Sequence, residues 1–310
     1  MTGIIAAHRS SQRHHRGFIM VAALWLLAAL AALASIASLY IAQSAAAVMA
    51  VGGATQLEMF TTAGVELAAY ELSSSSAAKR ATHGNFSFRL ANSSVAVEYM
   101  SEAARINLNM APRSTIAGLF AALGAPPEQA GEFANRVIAW RSAPPANANL
   151  QDDGVYHAAG LTYLPRHGAF NNVDELLLVV GLPMSLVERA LPFFTVYSGV
   201  AEVNVLDAAP EVVAALPGMS PLRLTSFLDQ RESLSPDDPV AVLGALGGNQ
   251  PGATVTGSSA YRVRMRITLP DGRQSRPEGV VALLGAGDSA AYRIFTWRDD
   301  IDPVVGSSRR

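Results

Sequence analysis

Hydrophobic and polar positions divide the chain into three textures. The first is a run without charge. From Gly17 to Leu57 there are 41 consecutive uncharged residues, and Phe18 to Ala34 carries no polar side chain except the indole of Trp25. A helix rises about 1.5 Å per residue, so roughly 20 residues cross a hydrocarbon core of ~30 Å. The run predicts a transmembrane helix over residues 18–42. A short basic leader, residues 1–17, precedes it with Arg9, Arg13 and Arg16. Positive charge on that side places the leader in the cytoplasm and everything after the span outside. A cleaved secretory signal peptide is the competing reading, with a cut in an Ala-rich stretch such as Ala45 to Ala47. Its apolar core is shorter, about 7–15 residues, so length favours a retained anchor.

The second texture is strict alternation. Phe86, Phe88 and Leu90, then Val95, Val97 and Tyr99, alternate with polar residues on either side of Ala91-Asn92-Ser93. That pattern predicts a β-hairpin over residues 85–100. Near the other end, Tyr261, Val263, Met265, Ile267 and Leu269 alternate with Arg262, Arg264, Arg266 and Thr268. Half-buried alternation makes the arginines a solvated sheet face. Pro270-Asp271-Gly272 signals a turn, Val280 to Leu284 a returning strand, and Tyr292 to Trp297 a last strand.

The third texture has helical spacing. It covers residues 43–72, with a soft point at Gly52-Gly53 and an end at Ser73 to Ser76. It also covers residues 106–235. Strands therefore flank a helical block, and the simplest arrangement is one antiparallel sheet with a helical domain inserted between its strands. The block repeats a phrase. Ile106-Asn107-Leu108-Asn109-Met110-Ala111-Pro112 is echoed by Val203-Asn204-Val205-Leu206-Asp207-Ala208-Ala209-Pro210, aligned with one inserted residue in the second copy. In each copy Asn and Pro are expected to open a helix. A turn at Gly124 or Gly218 and a second helix ending at Arg141 or Arg231 follow. A related unit runs from Val173-Asp174-Glu175-Leu176 to Val180-Gly181-Leu182. These units resemble helix-hairpin-helix modules.

Composition narrows the chemistry. The chain has 310 residues, half of them hydrophobic and 15% charged, a net charge of -2 and no cysteine. Disulfides, cysteine-ligated zinc and thiol catalysis are excluded. His83, His157 and His167 are scattered and read as solvated loop residues. No nucleophile elbow or phosphate loop occurs. Asp152-Asp153-Gly154 reads as a solvated loop turn with too few oxygens for calcium, which takes about six to eight. Asp237-Asp238 and Asp299-Asp300 read the same way. The hairpin turns carry Glu128 and only Arg223 nearby, too little positive charge for a phosphate backbone.

The junction Arg16-Gly17-Phe18-Ile19-Met20 resembles the processing site of type IV pilins and pseudopilins. In that family a prepilin peptidase cuts after the Gly and the new N-terminal Phe is methylated, so the resemblance implies processing between Gly17 and Phe18. Most members carry Glu at the fifth mature position, where this chain has Ala22. That departure is similar to the type II secretion minor pseudopilin K. An apolar residue there avoids an unpaired carboxylate in lipid. The similarity runs nearly the whole length. It includes Leu24-Trp25, the Asn-containing helix starts, the Phe170-Asn171-Asn172-Val173-Asp174-Glu175-Leu176 segment and the C-terminal strands.

The resemblance implies an α+β fold, with a pilin-like long N-terminal helix packed on an antiparallel sheet and a large inserted helical domain. The implied boundaries are 1–17 leader, 18–42 transmembrane helix, 43–100 pilin helix and first strands, 101–240 inserted domain and 241–310 C-terminal strands. It implies a non-enzymatic subunit at the tip of the secretion pseudopilus, starting fibre assembly for export of folded proteins across the outer membrane. The protein would be single-pass in the inner membrane with its body in the periplasm. Its partners would be other minor pseudopilins, the prepilin peptidase, the inner-membrane secretion assembly and membrane lipid, with no nucleic acid. K-type members can bind calcium through acids after the Trp. Here Trp140-Arg141 leads into Ser142 to Asn147 without an acid, so no cofactor is expected and calcium stays open. The alternative is a membrane-tethered DNA-binding helix-hairpin-helix protein of the DNA-uptake class.

Overall fold

A computed structural model describes residues 15–143, 151–285 and 287–299. It divides into two compact units between Met59 and Phe60. Residues 1–14 of the expected leader, residues 144–150 after the Trp140 helix, and Asp300 lie outside the described residues.

The first unit is helical. Helix α1, His15–Ser73, begins here and is assigned without a break through Gly52 and Gly53, where a soft point was expected. Within it, Met20–Tyr40 is the one helix segment among the described residues long and apolar enough to cross a membrane. At about 1.5 Å per residue its 21 residues reach about 31 Å. Leu24, Trp25, Leu27, Leu30 and Leu33 all point outward and exposed. A soluble helix buries an apolar stripe, whereas this one is apolar all round.

The second unit starts with the last turns of α1. Phe60, Val65, Ala68, Ala69 and Leu72 recur at helical spacing and are buried. Their face lies on a sheet whose Val97 and Met265 come up to Gly64. The helix stops at the serine run, and the Arg80 Nε–H donates to the Leu72 carbonyl (2.9 Å), which satisfies one of the orphan acceptors of a helix end.

Strand β1, His83–Leu90, turns into β2, Ser93–Ser101. Ala91 and Asn92 both take positive φ, 48° and 62°, the two-residue turn that matches strand twist. Strands β7 (Ala260–Thr268), β9 (Glu278–Leu283) and β10 (Tyr292–Arg298) complete the sheet in the order β1-β2-β7-β9-β10, and β8 (Gln274–Ser275) pairs on β7. The pairs within this sheet are antiparallel. Pairing of β2 with β7, from Ser94 opposite Thr268 to Ser101 opposite Tyr261, joins strands separated by the whole helical block. The block is thus inserted into a continuous sheet. Its two ends are fastened together: Ser258 N–H donates to Ser101 Oγ (2.8 Å), and the two hydroxyls lie 3.1 Å apart.

Inside the insertion the elements are β3 (Ile106–Asn107), α2 (Arg113–Ala122), α3 (Pro127–Arg141), α4 (Gln151–Ala158), a 3-10 turn at Val173–Leu178, and α5 (Met184–Ala190). They continue with β4 (Phe194–Thr195), β5 (Val203–Asn204), α6 (Pro210–Ala214), α7 (Pro221–Arg231), α8 (Pro239–Ala245) and β6 (Ala253–Thr254). Ile106, Ile116, Phe120, Val137, Phe194, Val213 and Phe227 belong to a buried cluster of its own. Two corrections to the sequence reading follow. Asp152 and Asp153 lie in helix α4 rather than in a loop. His83 opens strand β1 and His157 lies in the last turn of α4, so neither is a loop histidine.

The repeat is real in backbone terms, but it needs no inserted residue. Asn107 Oδ1 accepts from Asn109 N–H (2.8 Å) and Asn204 Oδ1 from Leu206 N–H (3.0 Å). The carbonyls of Asn107 and Asn204 then receive Ala111 N–H and Ala208 N–H. Each Asn-bearing strand pairs in parallel with the strand that closes its unit, β3 with β4 and β5 with β6. Pro112 therefore falls one place before α2, while Pro210 is the first residue of α6. The asparagines organise the turn ahead of the helix and do not cap it. The helices of the two copies meet at Gly118, where a Cβ would lie 2.1 Å from the Ala215 carbonyl oxygen.

That contact opposes intrinsic propensity. In an isolated helix, Gly→Ala stabilises by about 0.8–1.0 kcal/mol. Here backbone meets backbone, so Gly118→Ala is expected to lower stability by about 1–3 kcal/mol. Urea unfolding of the two proteins checks the sign, and a more stable variant rules out the packing described.

Candidate functional site at the junction of sheet and inserted helices

The expected processing residues, Gly17 and Phe18, fall in the first turns of α1, and their side chains lie outside the described residues. Ala22 follows in the same helix. No group of three or more His, Asp or Glu suited to a metal occurs among the described residues. The side chains of Asp152 and Asp153 are outside that set. Functional geometry is concentrated instead where the sheet gives way to the inserted helices.

Glu102 follows the last residue of β2 and is fully buried. Burying a lone carboxylate is prohibitive, so its partners matter. Arg262 of β7 donates from Nε (2.8 Å) and Nη2 (3.3 Å), Arg105 from Nη1 (3.1 Å), and the Thr195 hydroxyl from β4. Arg262 Nη1 also reaches Glu278 (2.5 Å), which accepts from Arg264 Nε at 2.5 Å. Arg105 Nε–H donates to the Pro192 carbonyl (3.0 Å). Two carboxylates and three guanidiniums thus knit β2, β7, β9 and the end of the first repeat. Arg262 is not on a solvated face. Its side chain is 19% exposed, against 55% for Arg264.

Electrostatics follow from this packing. Burial pulls Arg105 down to about 10 against the opposing pull of Glu102, which still leaves it charged at neutral pH. For Arg262 burial also acts downward, but hydrogen bonds and attraction from Glu102 and Glu278 win and raise it. Burial acts to raise Glu278, yet the Arg264 and Arg262 guanidiniums hold it below the usual carboxylate range. A second tie lies at the sheet edge: His83 Nδ1 is 2.7 Å from Asp207 Oδ1, whose other oxygen accepts from Asn204 Nδ2 (2.8 Å).

The segment Phe170 to Leu176 has a physical reading here. Asn109 clamps the Phe170 backbone, accepting its N–H (2.7 Å) and donating to its carbonyl (3.0 Å). The Phe170 ring stacks on Trp140 with centroids 6.0 Å apart. Asn172 caps the 3-10 turn through Asp174 N–H. Glu175 accepts both nitrogens of the Arg166 fork (2.9 and 2.7 Å) and the Trp140 indole N–H (3.3 Å). The turns between paired helices take the geometry expected of them, with Gly124 at φ +95° and Gly218 at φ +76°.

Residues 94–199 match the model of a family described as Type II secretion system (T2SS), protein K. Over these residues, about a third of the chain, it is similar to the type II secretion protein K family. The family is a structural component of the secretion system, and the minor pseudopilin role read from the sequence agrees with it. The fold is similar to a chain in the crystal structure of the GspK-GspI-GspJ complex from the enterotoxigenic Escherichia coli Type 2 Secretion System. The TM-score is 0.56 at 14% identity, covering 79% of this chain and 96% of that one. No curated protein sequence matches. The protein K match spans the hairpin's second strand, the Glu102 junction and the first repeat through Thr195. The charged junction itself escaped the sequence reading, because its members are spread from residue 102 to residue 278.

Removing one partner of a buried ion pair costs about 3–5 kcal/mol. Glu102→Gln and Arg262→Met are each expected to destabilise by about 3 kcal/mol. The double variant should lose clearly less than the sum of the two, which a denaturant double-mutant cycle reads directly. Additive losses contradict the pairing. The depressed Glu278 contributes stability above its unfolded value, near 4.3, and that contribution is lost as pH falls through the folded value. Thermal unfolding between neutral pH and pH ~3 should show this acid loss, and Glu278→Gln should flatten it.

Proposed function

We propose that the chain is the minor pseudopilin at the tip of a type II secretion pseudopilus, where it starts fibre assembly for export of folded proteins across the outer membrane. One observation carries this reading. A protein K match runs from β2 through the first repeat of a helical block that interrupts the sheet between β2 and β7. Such a block widens the body on one side of the sheet, which suits a subunit that carries no further subunit above it. Ala22 is in keeping with that position, since a subunit with no neighbour ahead of it needs no carboxylate at that depth.

In this reading the boundaries are a leader over 1–17, an inner-membrane helix over 18–42, the pilin helix and first strands over 43–100, the inserted domain over 101–240 and the closing strands over 241–310. The body sits in the periplasm. A prepilin peptidase cuts between Gly17 and Phe18, and Phe18 is methylated. Other minor pseudopilins are the partners, by analogy with the complex whose chain shares the fold. In the body, Leu67 and Tyr70 are exposed on α1 three residues apart, an apolar pair suited to a neighbouring pilin helix. The helix-turn-helix units act as protein-contact modules of helix-hairpin-helix type. Mechanism here is assembly: lipid holds the stem, and packing of exposed helix faces recruits the next subunits.

Mass spectrometry of the chain purified from membranes that contain the prepilin peptidase tests the stem. The expected N-terminus is methylated Phe18, and Gly17→Leu should leave the leader attached. A chain that begins near residue 45 overturns the proposal, because an ordinary signal peptidase would then have removed the anchor.

A further inference from the structure

The face of the sheet beside the insertion carries an ordered pattern of charge. Glu98, Arg264, Glu278 and Arg298 stand directly opposite one another on β2, β7, β9 and β10. One rung along, Arg266 lies opposite Ala96, and Arg276 precedes β9. Both arginines are exposed, and Arg266 has no ion pair among the described residues. On the other side lie Arg262 and Arg105, held by Glu102. Two clefts, about 390 and 260 Å³, share Arg264, Glu278 and Arg298 and so form one open groove. Arg105, Arg262, Arg264, Arg266, Arg276 and Arg298 line it, against Glu98, Asp174 and Glu278. The whole chain is slightly acidic, with a net charge of -2. With Glu102 buried behind Arg105 and Arg262, and Asp174 paired with Arg298 (3.1 Å), a smaller positive excess remains, local to this groove.

We propose that this groove binds an extended acidic peptide segment presented by another protein, independently of the assembly role above. Guanidinium forks match carboxylates two bonds at a time. The groove crosses four strands about 4.8 Å apart, roughly 14 Å in all, the length of about four extended residues at ~3.4 Å each. A single small anion leaves most of that length empty. Glu98 and Glu278 interrupt the row and repel a continuous phosphate backbone. A peptide whose carboxylates are separated by small neutral residues can bring charges to the arginines while neutral residues pass the glutamates. Ala96 and Pro277 offer it apolar contact between them.

Fluorescence anisotropy on the full chain in detergent micelles tests this, with a labelled peptide of alternating Glu and Ser. The peptide is expected to bind at low ionic strength and to weaken as salt rises. Arg266→Gln with Arg276→Gln should weaken it about five- to tenfold. Both side chains are exposed, and an unchanged unfolding midpoint confirms that the fold is kept; if the pair unfolds, Arg266→Gln alone decides. A Lys-Ser peptide should ignore the natural chain and bind Arg266→Glu with Arg276→Glu. Four results overturn the proposal: no binding of the acidic peptide, equal binding of a Gln-Ser peptide, affinity unmoved by the Arg266 and Arg276 variants, or an oligonucleotide bound at least as tightly.

Discussion

The buried Glu102 carboxylate constrains everything around it. It sits where β2 leaves the sheet, so the chain cannot enter the insertion without burying a charge. Arg262, which meets it, arrives on the strand that returns from the insertion, and Thr195 arrives at the close of the first repeat. Departure, closure and return must therefore be right together. An ion pair in this position adds little net stability over an apolar substitute. Its effect is on register. Slipping β7 by one residue turns Arg262 to the opposite face and leaves Glu102 alone. A sheet interrupted by a block of this length needs such a check, because closing a long loop specifies little about how its ends should meet.

What the sequence made legible was whatever depends on neighbours within a few residues. The hairpin at Ala91-Asn92, the alternation of β7, the end of α1 at the serines and the turns at Gly124 and Gly218 all obey local rules. The Arg262 environment was misread for the same reason. Alternation says which face a residue is on, but not whether another element covers that face. Arg262 and Arg266 look identical in sequence, yet one is shut under the insertion and the other is open. The single inserted residue expected in the second repeat came from matching Pro112 to Pro210. The backbone instead matches Asn107 to Asn204, since those carbonyls and side chains shape the turn, while proline is tolerated at either of two places near a helix start. His83 could not be assigned at all without Asp207, 124 residues away.

The repeats explain how a block of short helices holds together. A helix of five to fifteen residues is marginal by itself. Each unit supplies a two-residue strand at its start and another at its end, and parallel pairing of the two closes the unit like a clasp. The close approach at Gly118 then lets one unit rest on the other. Repeat stacking buries a shared core that neither unit can bury alone.

Arginine usage reflects the same economy. Lys79 is the only lysine among the chain's 23 basic residues. Many short helices and turns leave many carbonyls without a partner. Arg141 covers those of Leu108 and Ala111, Arg231 that of Ala208, Arg80 that of Leu72, Arg105 that of Pro192 and Arg136 that of Val180. A planar fork with five donors can serve two acceptors at once and remain charged under burial. Arg105 is drawn down only to about 10. A lysine begins near 10.4, so the same desolvation brings it much closer to losing its proton, and with that the third donor on its nitrogen. The preference for arginine is thus a consequence of building a body from short helices, and it leaves, at the groove, guanidiniums already suited to carboxylates.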